Sequence, residues 1–229
     1  MVLKGKAGDA LLRSYDSERQ PVGQYVRVRI DRLLEEDSVE GAEKRSGLRK
    51  IFHDLEEDYG GLGSEMNQWY RSSAVYTSDD GDGPPWPTDR RERAMRYVES
   101  SYPGFRVPHV WLMKRKTSSG PRPPLTSTRD LCGKGRFTLL TGVGGAAIWN
   151  PEVEKVNKDL DVDILVYSIG WGQEYEDTFF GWQDRRGVEQ EGAVLVRPDL
   201  TVAWRYKSAG SEVAGKLLSV MKAVLSPKE

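Results

Sequence analysis

The sequence predicts an α/β (α+β) fold in which a mainly helical first part precedes a small domain of strands and helices. Apolar residues recur at helical spacing between Ala10 and Tyr59. Glycine and proline then crowd the stretch from Ser78 to Thr88, which is typical of a linker. After Tyr102, short apolar runs alternate with helical segments, as in a small α/β domain. We therefore predict two domains, residues 1–88 and residues 89–229.

The first helix is predicted from Ala10 to about Asp37, with Leu11, Leu12 and Tyr15 on one side. Pro21 interrupts this pattern, because proline removes a helical donor and clashes with the preceding turn. The pattern predicts either two helices or one kinked helix, with Pro21 in the first turn of the second segment.

The rest of the first part is predicted as a helix, a strand and a short helix. Ser46 is a candidate N-cap for a helix that continues to Tyr59 and that Gly60–Gly61 would end. Tyr70, Ala74, Val75 and Tyr76 predict a strand between Glu65 and Thr77. The arginine-rich segment from Asp89 to Tyr97 is predicted to be helical.

The second part is predicted to contain strand, helix, strand, hairpin and helix in that order. Its predicted elements are buried strands at Phe137–Thr141 and Val162–Ile169, a hairpin of Ala193–Val196 and Val202–Tyr206 around Pro198–Asp199, and a closing helix at Glu212–Leu225.

The composition indicates a globular protein without a charged or membrane-seeking surface. Charged residues make up 30% and hydrophobic residues 38% of the 229 residues, and the formal net charge is −1. So small a charge attracts neither nucleic acid nor anionic lipid, and no apolar run approaches the roughly 20 residues that span a bilayer. We therefore expect a cytosolic protein that binds neither nucleic acid nor a membrane.

One loop invites comparison with a nucleotide-binding motif. Gly142, Gly144 and Ala147 fit the form Gly-x-Gly-x-x-Ala between a predicted strand and a predicted helix. The acidic residue expected at the end of the next strand is absent, since Asp161 and Asp163 stand at its start. We interpret the loop as a tight strand-to-helix connection.

The cysteine, histidine and acidic residues give no clear catalytic or metal site. Cys132 is the single cysteine, and with no second thiol or nearby histidine to activate it we interpret it as structural. His109 is a candidate general base, but its apolar neighbours favour a packed role, and His53 lies among surface acids. Acidic runs such as Glu174–Asp177 lack metal-ligand spacing.

Several segments, taken together, resemble one protein family. They are LKGKAGDALLRSYDSERQPVGQYV at Leu3–Val26, EMNQWYRSSAV at Glu65–Val75, and the series Tyr102–Leu112, Ser127–Gly142 and Gly192–Arg205. In their order and spacing they resemble the C-terminal third of the phenol-hydroxylase-like, FAD-dependent aromatic monooxygenases.

The resemblance implies a division of roles along the chain. Residues 1–88 would be the remaining piece of the FAD- and substrate-binding part, and residues 89–229 a thioredoxin-like domain that has lost redox cysteines and serves in dimer contacts. FAD and NADPH are implied for the intact enzyme. The family's glycine-rich FAD loop would precede Leu3, so we assign no FAD ligand here and expect no cofactor to be bound by this chain alone.

The aromatic cluster of Trp69, Tyr70, Tyr76 and Trp86 is the most informative candidate site. The resemblance places Tyr70, with Trp69, in the sheet that lines the substrate pocket, where aromatic side chains suit a flat phenolic ligand. The alternation of buried and exposed side chains along a half-buried strand explains an aromatic residue at Tyr70 equally well. We predict Trp69 and Tyr70 as substrate-pocket residues and assign no catalytic or metal-binding residue.

Two functions stay open. The first is a truncated or split monooxygenase component that takes part in ring hydroxylation of an aromatic small molecule only with a separate FAD-binding part. The alternative is a non-catalytic accessory protein that forms a homodimer or docks on a flavoenzyme. In either case, an uncovered apolar face at Leu11, Leu12 and Tyr15 predicts either a partner or poor solubility.

Overall fold

The computed structural model describes residues 1–36, 61–80, 83–116, 121, 123–209 and 213–226. These residues form two compact units. The larger unit comprises Met1–Ser14, Tyr70–Pro84 and Glu99–Glu229, and the smaller comprises Tyr15–Trp69 and Pro85–Val98. The division after residue 88 stays a prediction, and each unit is described below by itself.

A four-stranded mixed sheet forms the centre of the larger unit. Its strands are β3 (Phe137–Thr141), β4 (Ile164–Ser168), β6 (Ala193–Val196) and β7 (Val202–Tyr206), in the order β4-β3-β6-β7. β3 runs parallel to β4 and antiparallel to β6, and β6 pairs antiparallel with β7. All five residues of β3 are buried, because structure covers the central strand on both faces.

Two helices cover one face of this sheet. They are α5 (Gly145–Leu160), which connects β3 to β4, and α7 (Lys216–Leu225). Alternate strand residues such as Leu139 and Leu195 meet Trp149 and Met221 in one apolar core. Trp149 packs edge-on against Trp204, with ring centroids 5.8 Å apart. Strands and helices alternate around this mixed sheet, so the predicted α/β class is confirmed.

The opposite face is covered by a smaller sheet and two short helices. The strands of the smaller sheet are β1 (Trp111–Lys114), β2 (Leu125–Ser127) and β5 (Tyr175–Glu176), and the helices are α4 (Thr128–Leu131) and α6 (Gly181–Arg185). The smaller sheet has the order β2-β1-β5 and is antiparallel throughout. Leu140 and Val194 point to this side, where Leu112 and Trp182 complete a second core.

The segment 70–80 is irregular, so the strand predicted between Glu65 and Thr77 is wrong. Ser72 ends the extended run, because its carbonyl accepts the amide N–H of Val75 at 3.1 Å and its hydroxyl accepts that of Ala74 at 3.1 Å. This turn buries Ala74 and leaves the backbone no continuous partner strand. Tyr76 makes a single backbone hydrogen bond to Ala203, at 2.7 Å.

The described part of the smaller unit is helical. α1 (Asp9–Glu36) supplies its residues from Tyr15 onward, and α2 (Leu62–Met66) and α3 (Arg90–Met95) complete it. α1 is one helix with Pro21 inside it, so the alternative of two separate helices is wrong. Long helical segments on both sides of Pro21 offset the single lost hydrogen bond.

The remaining sequence predictions have mixed outcomes. The helix predicted from Asp89 to Tyr97 is confirmed as α3, and Asp89 caps it by accepting the Glu92 amide N–H at 2.7 Å. The helix predicted from Ser46 to Tyr59 lies outside the described residues. Of the helices that the structure describes, none is long and apolar enough to cross a membrane.

Candidate functional site

A groove of about 800 Å³ lies within the smaller unit. One wall is the apolar side of α1, where Tyr25, Val26 and Ile30 are between two fifths and half exposed. The other walls come from α2, from the segment after it that ends at Trp69, and from Arg93 on α3. A concave site of this size with apolar walls and few polar groups suits a small organic ligand.

Gly63 and Asn67 hold α2 against α3 at the base of the groove. A Cβ atom on Gly63 would overlap the carbonyl oxygens of Arg93 and Arg96, so only glycine allows this approach. The Asn67 amide donates to those same two carbonyls at 2.9 and 2.8 Å, and its oxygen accepts the Val98 amide N–H at 2.8 Å. Asn67 therefore fixes the end of α3 relative to α2.

Trp69 is held by a second aromatic ring. Trp86 packs edge-on against Trp69, with centroids 6.1 Å apart and an interplanar angle of 70°. The guanidinium group of Arg93 lies 5.2 Å from the centroid of Trp86 and donates to the Pro87 carbonyl at 3.1 Å. The groove thus presents a fixed indole ring beside a cationic group.

The structure separates the predicted aromatic cluster into two pairs of residues. Trp69 and Trp86 meet in the smaller unit, and Trp69 lines the groove. Tyr70 and Tyr76 belong to the larger unit, where the Tyr70 amide N–H donates to the Gly104 carbonyl at 3.0 Å. Contact of Trp69 or Tyr70 with a substrate stays a prediction.

Sequence reasoning missed the contribution of α1 and α3 to this groove. The helical spacing of Val22, Tyr25, Val26 and Ile30 predicts a helix, but the spacing alone does not predict a ligand-binding surface. A stripe that stays partly exposed is the available clue to a binding surface. Arg93 gave no signal, because it stands in a segment with several arginines.

The Gly142–Ala147 loop does not fit the pyrophosphate of FAD or another dinucleotide. The amide N–H of Gly142 donates to the Gln190 carbonyl at 2.8 Å, and that of Val143 donates to the Gln190 side-chain oxygen at 3.1 Å. The amide N–H of Gly145 donates to Gly142 itself at 3.2 Å. Because a phosphate site needs such N–H groups free, the structure supports the interpretation of tight packing.

Cys132 and His109 both have structural surroundings. Cys132 is buried, and burial raises the pKa of its thiol to about 12, so the reactive thiolate is disfavoured at neutral pH. His109 packs edge-on against Trp111, and its Nδ1 lies 2.6 Å from the hydroxyl oxygen of Ser127. Ser127 is itself the N-cap of α4, so His109 is bonded into a helix start.

The acidic residues that the structure describes form no metal centre. No group of three or more histidine, cysteine, aspartate or glutamate side chains there is arranged to hold a metal ion. His53 and Glu56–Asp58 lie outside the described part of the chain.

Comparison with known proteins gives a consistent result. Residues 100–227 match the family model of the C-terminal region of aromatic-ring hydroxylases. The chain is 36% identical to 2,4-dichlorophenol 6-monooxygenase of Delftia acidovorans, with 98% of this chain and 41% of that protein aligned. It is 30% identical to phenol 2-monooxygenase of Pseudomonas sp. (strain EST1001), with 100% of this chain and 40% of that protein aligned.

Solved structures agree with these relatives. The flavin-dependent monooxygenase PieE, determined with FAD and substrate, superposes with a TM-score of 0.81 at 34% identity and covers 99% of this chain and 42% of its own. Aklavinone-11 hydroxylase, determined with FAD and aklavinone, gives a TM-score of 0.69 at 30% identity over 98% of this chain and 37% of its own. The chain thus spans about two fifths of the length of the relatives it matches.

Proposed function

Because the chain belongs to the aromatic-ring hydroxylases and corresponds to their C-terminal portion, we propose that it takes part in hydroxylation of an aromatic ring together with a separate FAD-binding part. The observation that carries this proposal is the match of 98–100% of this chain, at 30–36% identity, to 40–41% of the length of two phenol-type monooxygenases. The role of this chain is to supply one side of the substrate site and the thioredoxin-like domain.

In this proposal, the groove beside Trp69 binds the aromatic substrate. A flat aromatic ring packs against the indole of Trp69 and the apolar residues Tyr25 and Val26. Arg93, held above Trp86, places a positive charge near the groove, where it favours the ionised form of a phenolic hydroxyl. Tyr70 follows Trp69 directly in the chain and remains a second candidate for substrate contact.

The redox chemistry in this proposal belongs to the other part of the enzyme. FAD supplies the oxygen-activating chemistry, with NADPH as the electron source. The loop from Gly142 to Ala147 is not suited to FAD, since Gln190 already accepts the N–H groups of Gly142 and Val143. What this chain contributes is binding and orientation of the ring and exclusion of water from it.

The FAD-binding part is also the partner that fits the exposed side of α1. Leu12 is 59% exposed and Tyr15 is 67% exposed, and apolar side chains in such positions are typical of a surface that another protein covers. Leu11, by contrast, is partly buried against the core of the larger unit. We place this assembly in the cytosol, and a homodimer through the thioredoxin-like domain is compatible with it.

The test is reconstitution of activity from two parts. The chain is mixed with the remaining N-terminal portion of the Delftia 2,4-dichlorophenol 6-monooxygenase, and FAD is added. We expect NADPH oxidation that depends on a phenol and that requires both parts. Failure of the two parts to associate, or association without phenol-dependent NADPH oxidation, contradicts the proposal.

Two variants and one titration sharpen this experiment. Trp69→Ala should lower the phenol-dependent rate about tenfold through a higher KM, because a stacking partner of the ring is lost. Phe179→Ala is the matched control, since Phe179 is 68% exposed in the larger unit and lies outside the groove. A spectral titration of the chain alone with FAD should show no saturable change, and saturable binding would make the chain a flavoprotein by itself.

A further inference from the structure

A second cavity, of about 260 Å³, lies in the larger unit beyond the C-terminal ends of β3 and β4. Val143 follows β3, Ile169 and Trp171 follow β4, and α6 with the segment before it closes the other side. In α/β sheets this edge is where ligands usually bind, because the loops that leave adjacent strands there open a crevice. Neither the groove beside Trp69 nor the family match assigns a role to this cavity.

Arg186 contributes a buried cation with few partners to the lining of this cavity. The residue is 8% exposed, and its guanidinium group makes one side-chain hydrogen bond, from Nη1 to the Gln190 side-chain oxygen at 2.9 Å. Among the described residues no carboxylate oxygen lies within ion-pair distance of it. Burial accordingly lowers the pKa of Arg186, while Glu189 and Asp177 oppose that effect from further away.

Two residues that line this cavity each have a buried polar atom without a hydrogen-bond partner. These atoms are the Oδ1 atom of Asp177, an acceptor, and the Nε1–H group of Trp182, a donor. The other Asp177 oxygen accepts the Gln183 amide N–H at 2.9 Å, so the carboxylate is fixed in place. A buried polar atom without a partner destabilises the folded protein, and this cost is recovered when a bound molecule or water supplies the missing bond.

The aromatic wall of the cavity is exposed and strained. Trp171 is 89% exposed between two glycines, and Phe180 is 63% exposed with a φ of 56°, in the left-handed region that bulky residues avoid. Strained backbone of this kind clusters at ligand-binding segments. Trp171 and Phe180 are therefore placed to cover a planar molecule that enters the cavity.

From this arrangement we propose that the cavity binds a small neutral aromatic molecule bearing a hydroxyl group, of the phenol or catechol class. The hydroxyl donates to Asp177 and accepts from Trp182 or Arg186, while the ring packs against Trp171 and Phe180. A cavity of about 260 Å³ has room for one ring. The charged residues of the lining are the cation Arg186 and the carboxylates Asp177 and Glu176, so the cavity has no net positive charge to hold an anion.

This inference does not depend on the proposed function. The cavity is complete within the larger unit, and it needs neither FAD nor a second protein. A hydroxylated aromatic molecule would bind here within the larger unit, at a site other than the groove.

The experiment is an NMR titration of the full chain with phenol and catechol, followed through the indole N–H signals of its 7 tryptophans. We expect a saturable shift of the Trp182 signal, with a dissociation constant in the sub-millimolar to millimolar range typical of so small a ligand. Benzene, which lacks the hydroxyl, and benzoate, which is an anion, should bind at least about tenfold more weakly.

Variants distinguish ligand binding in this cavity from binding elsewhere on the chain. Asp177→Asn keeps an oxygen to accept the Gln183 amide N–H and turns the free acceptor into a donor, so phenol should bind about tenfold more weakly without loss of fold. Trp171→Ala should weaken binding about fivefold, and Phe179→Ala, a neighbour outside the cavity, should leave it unchanged. Phe180→Gly should weaken binding while leaving the melting temperature equal or higher, because glycine accepts the left-handed backbone.

Three results would overturn the proposal. One is a Trp182 signal that does not move at saturating phenol, which would mean that only water satisfies the buried atoms. Another is equal affinity for benzene and phenol, or an unchanged affinity in Asp177→Asn. The third is loss of phenol binding in Trp69→Ala, which would place the ligand in the groove instead.

Discussion

The guanidinium group of Arg205 and the carboxylate of Asp80 form a buried ion pair with two hydrogen bonds, from Nε and from Nη2, the latter at 2.9 Å. The Asp80 side chain is 1% exposed and that of Arg205 is 8% exposed. The neighbouring Asp79 accepts the indole N–H of Trp204 at 2.8 Å and the ammonium of Lys216 at 2.5 Å. These contacts attach Asp79 and Asp80 to β7 and α7, although the sequence predicts a linker from Ser78 to Thr88.

Asp80→Ala should therefore destabilise the larger unit strongly. Removing one partner leaves the Arg205 guanidinium buried without its carboxylate, which costs about 3–5 kcal/mol. Urea unfolding followed by tryptophan fluorescence measures the change. Asp163→Ala is the matched control, because its pair with Arg136 is 50–63% exposed and should contribute less than about 1 kcal/mol. Equal losses in the two variants would mean that the buried pair does not hold the segment.

Replacing either of two glycines of the smaller unit with alanine should change stability, in opposite directions for the two positions. In Gly63→Ala the new Cβ overlaps the carbonyls of Arg93 and Arg96, so α2 must move and we expect a loss of about 2 kcal/mol or more. In Gly23→Ala the Cβ meets nothing within 4 Å on α1, and the variant should gain about 0.5–1 kcal/mol from helix propensity. Thermal unfolding of both variants checks the signs. A neutral Gly63→Ala variant would show that α2 and α3 are not in close contact.

The central sheet was predictable because each of its signals is local. β3 was predicted at its observed bounds, since Phe137–Thr141 is a short apolar run followed by glycine. The hairpin of β6 and β7 also followed from the turn residues Pro198 and Asp199. The predicted closing helix begins later, at Lys216, after the left-handed Gly215 that forms its N-cap.

The irregular segments and the groove were harder to predict, because they depend on contacts between distant residues. Tyr70, Ala74 and Tyr76 have strand-like spacing, yet the turn at Ser72 and the anchoring of Asp79 decide the backbone path. The contact between Trp69 and Trp86 depends on the placement of α3 by Asn67. The unpaired atoms of Asp177 and Trp182 arise only when α6 folds onto the second core, and no local pattern reports them.

The buried thiol of Cys132 should make stability fall at high pH. Its pKa is raised from 9.0 to about 12, so the unfolded chain loses the proton first as the pH rises. The stabilising effect is complete below pH 9 and is lost between pH 9 and about pH 12, at no more than about 1.4 kcal/mol per pH unit. The unfolding free energy of the wild type and of Cys132→Ala is measured from pH 8 to pH 11. Above pH 9, the value for the wild type should fall relative to that of the variant by up to about 1.4 kcal/mol per pH unit.

The same burial predicts the reactivity of the thiol. At pH 8 a thiol reagent such as Ellman's reagent should not label the folded chain, and it should label its 1 cysteine after unfolding in urea. Fast labelling of the folded protein would mean that the thiol is exposed and ionised, and would restore Cys132 as a candidate nucleophile.

Gly142→Ala distinguishes tight packing from nucleotide binding at the loop after β3. An added Cβ would lie 2.6 Å from both the carbonyl and the side-chain oxygen of Gln190, and 2.9 Å from the Arg186 guanidinium. We expect a loss of about 1–3 kcal/mol in stability, because these buried hydrogen-bonded groups must shift. Calorimetric titration with ADP should show no saturable binding in either the wild type or the variant. Saturable ADP binding in the wild type that Gly142→Ala abolishes would assign the loop to a nucleotide and contradict the packing interpretation.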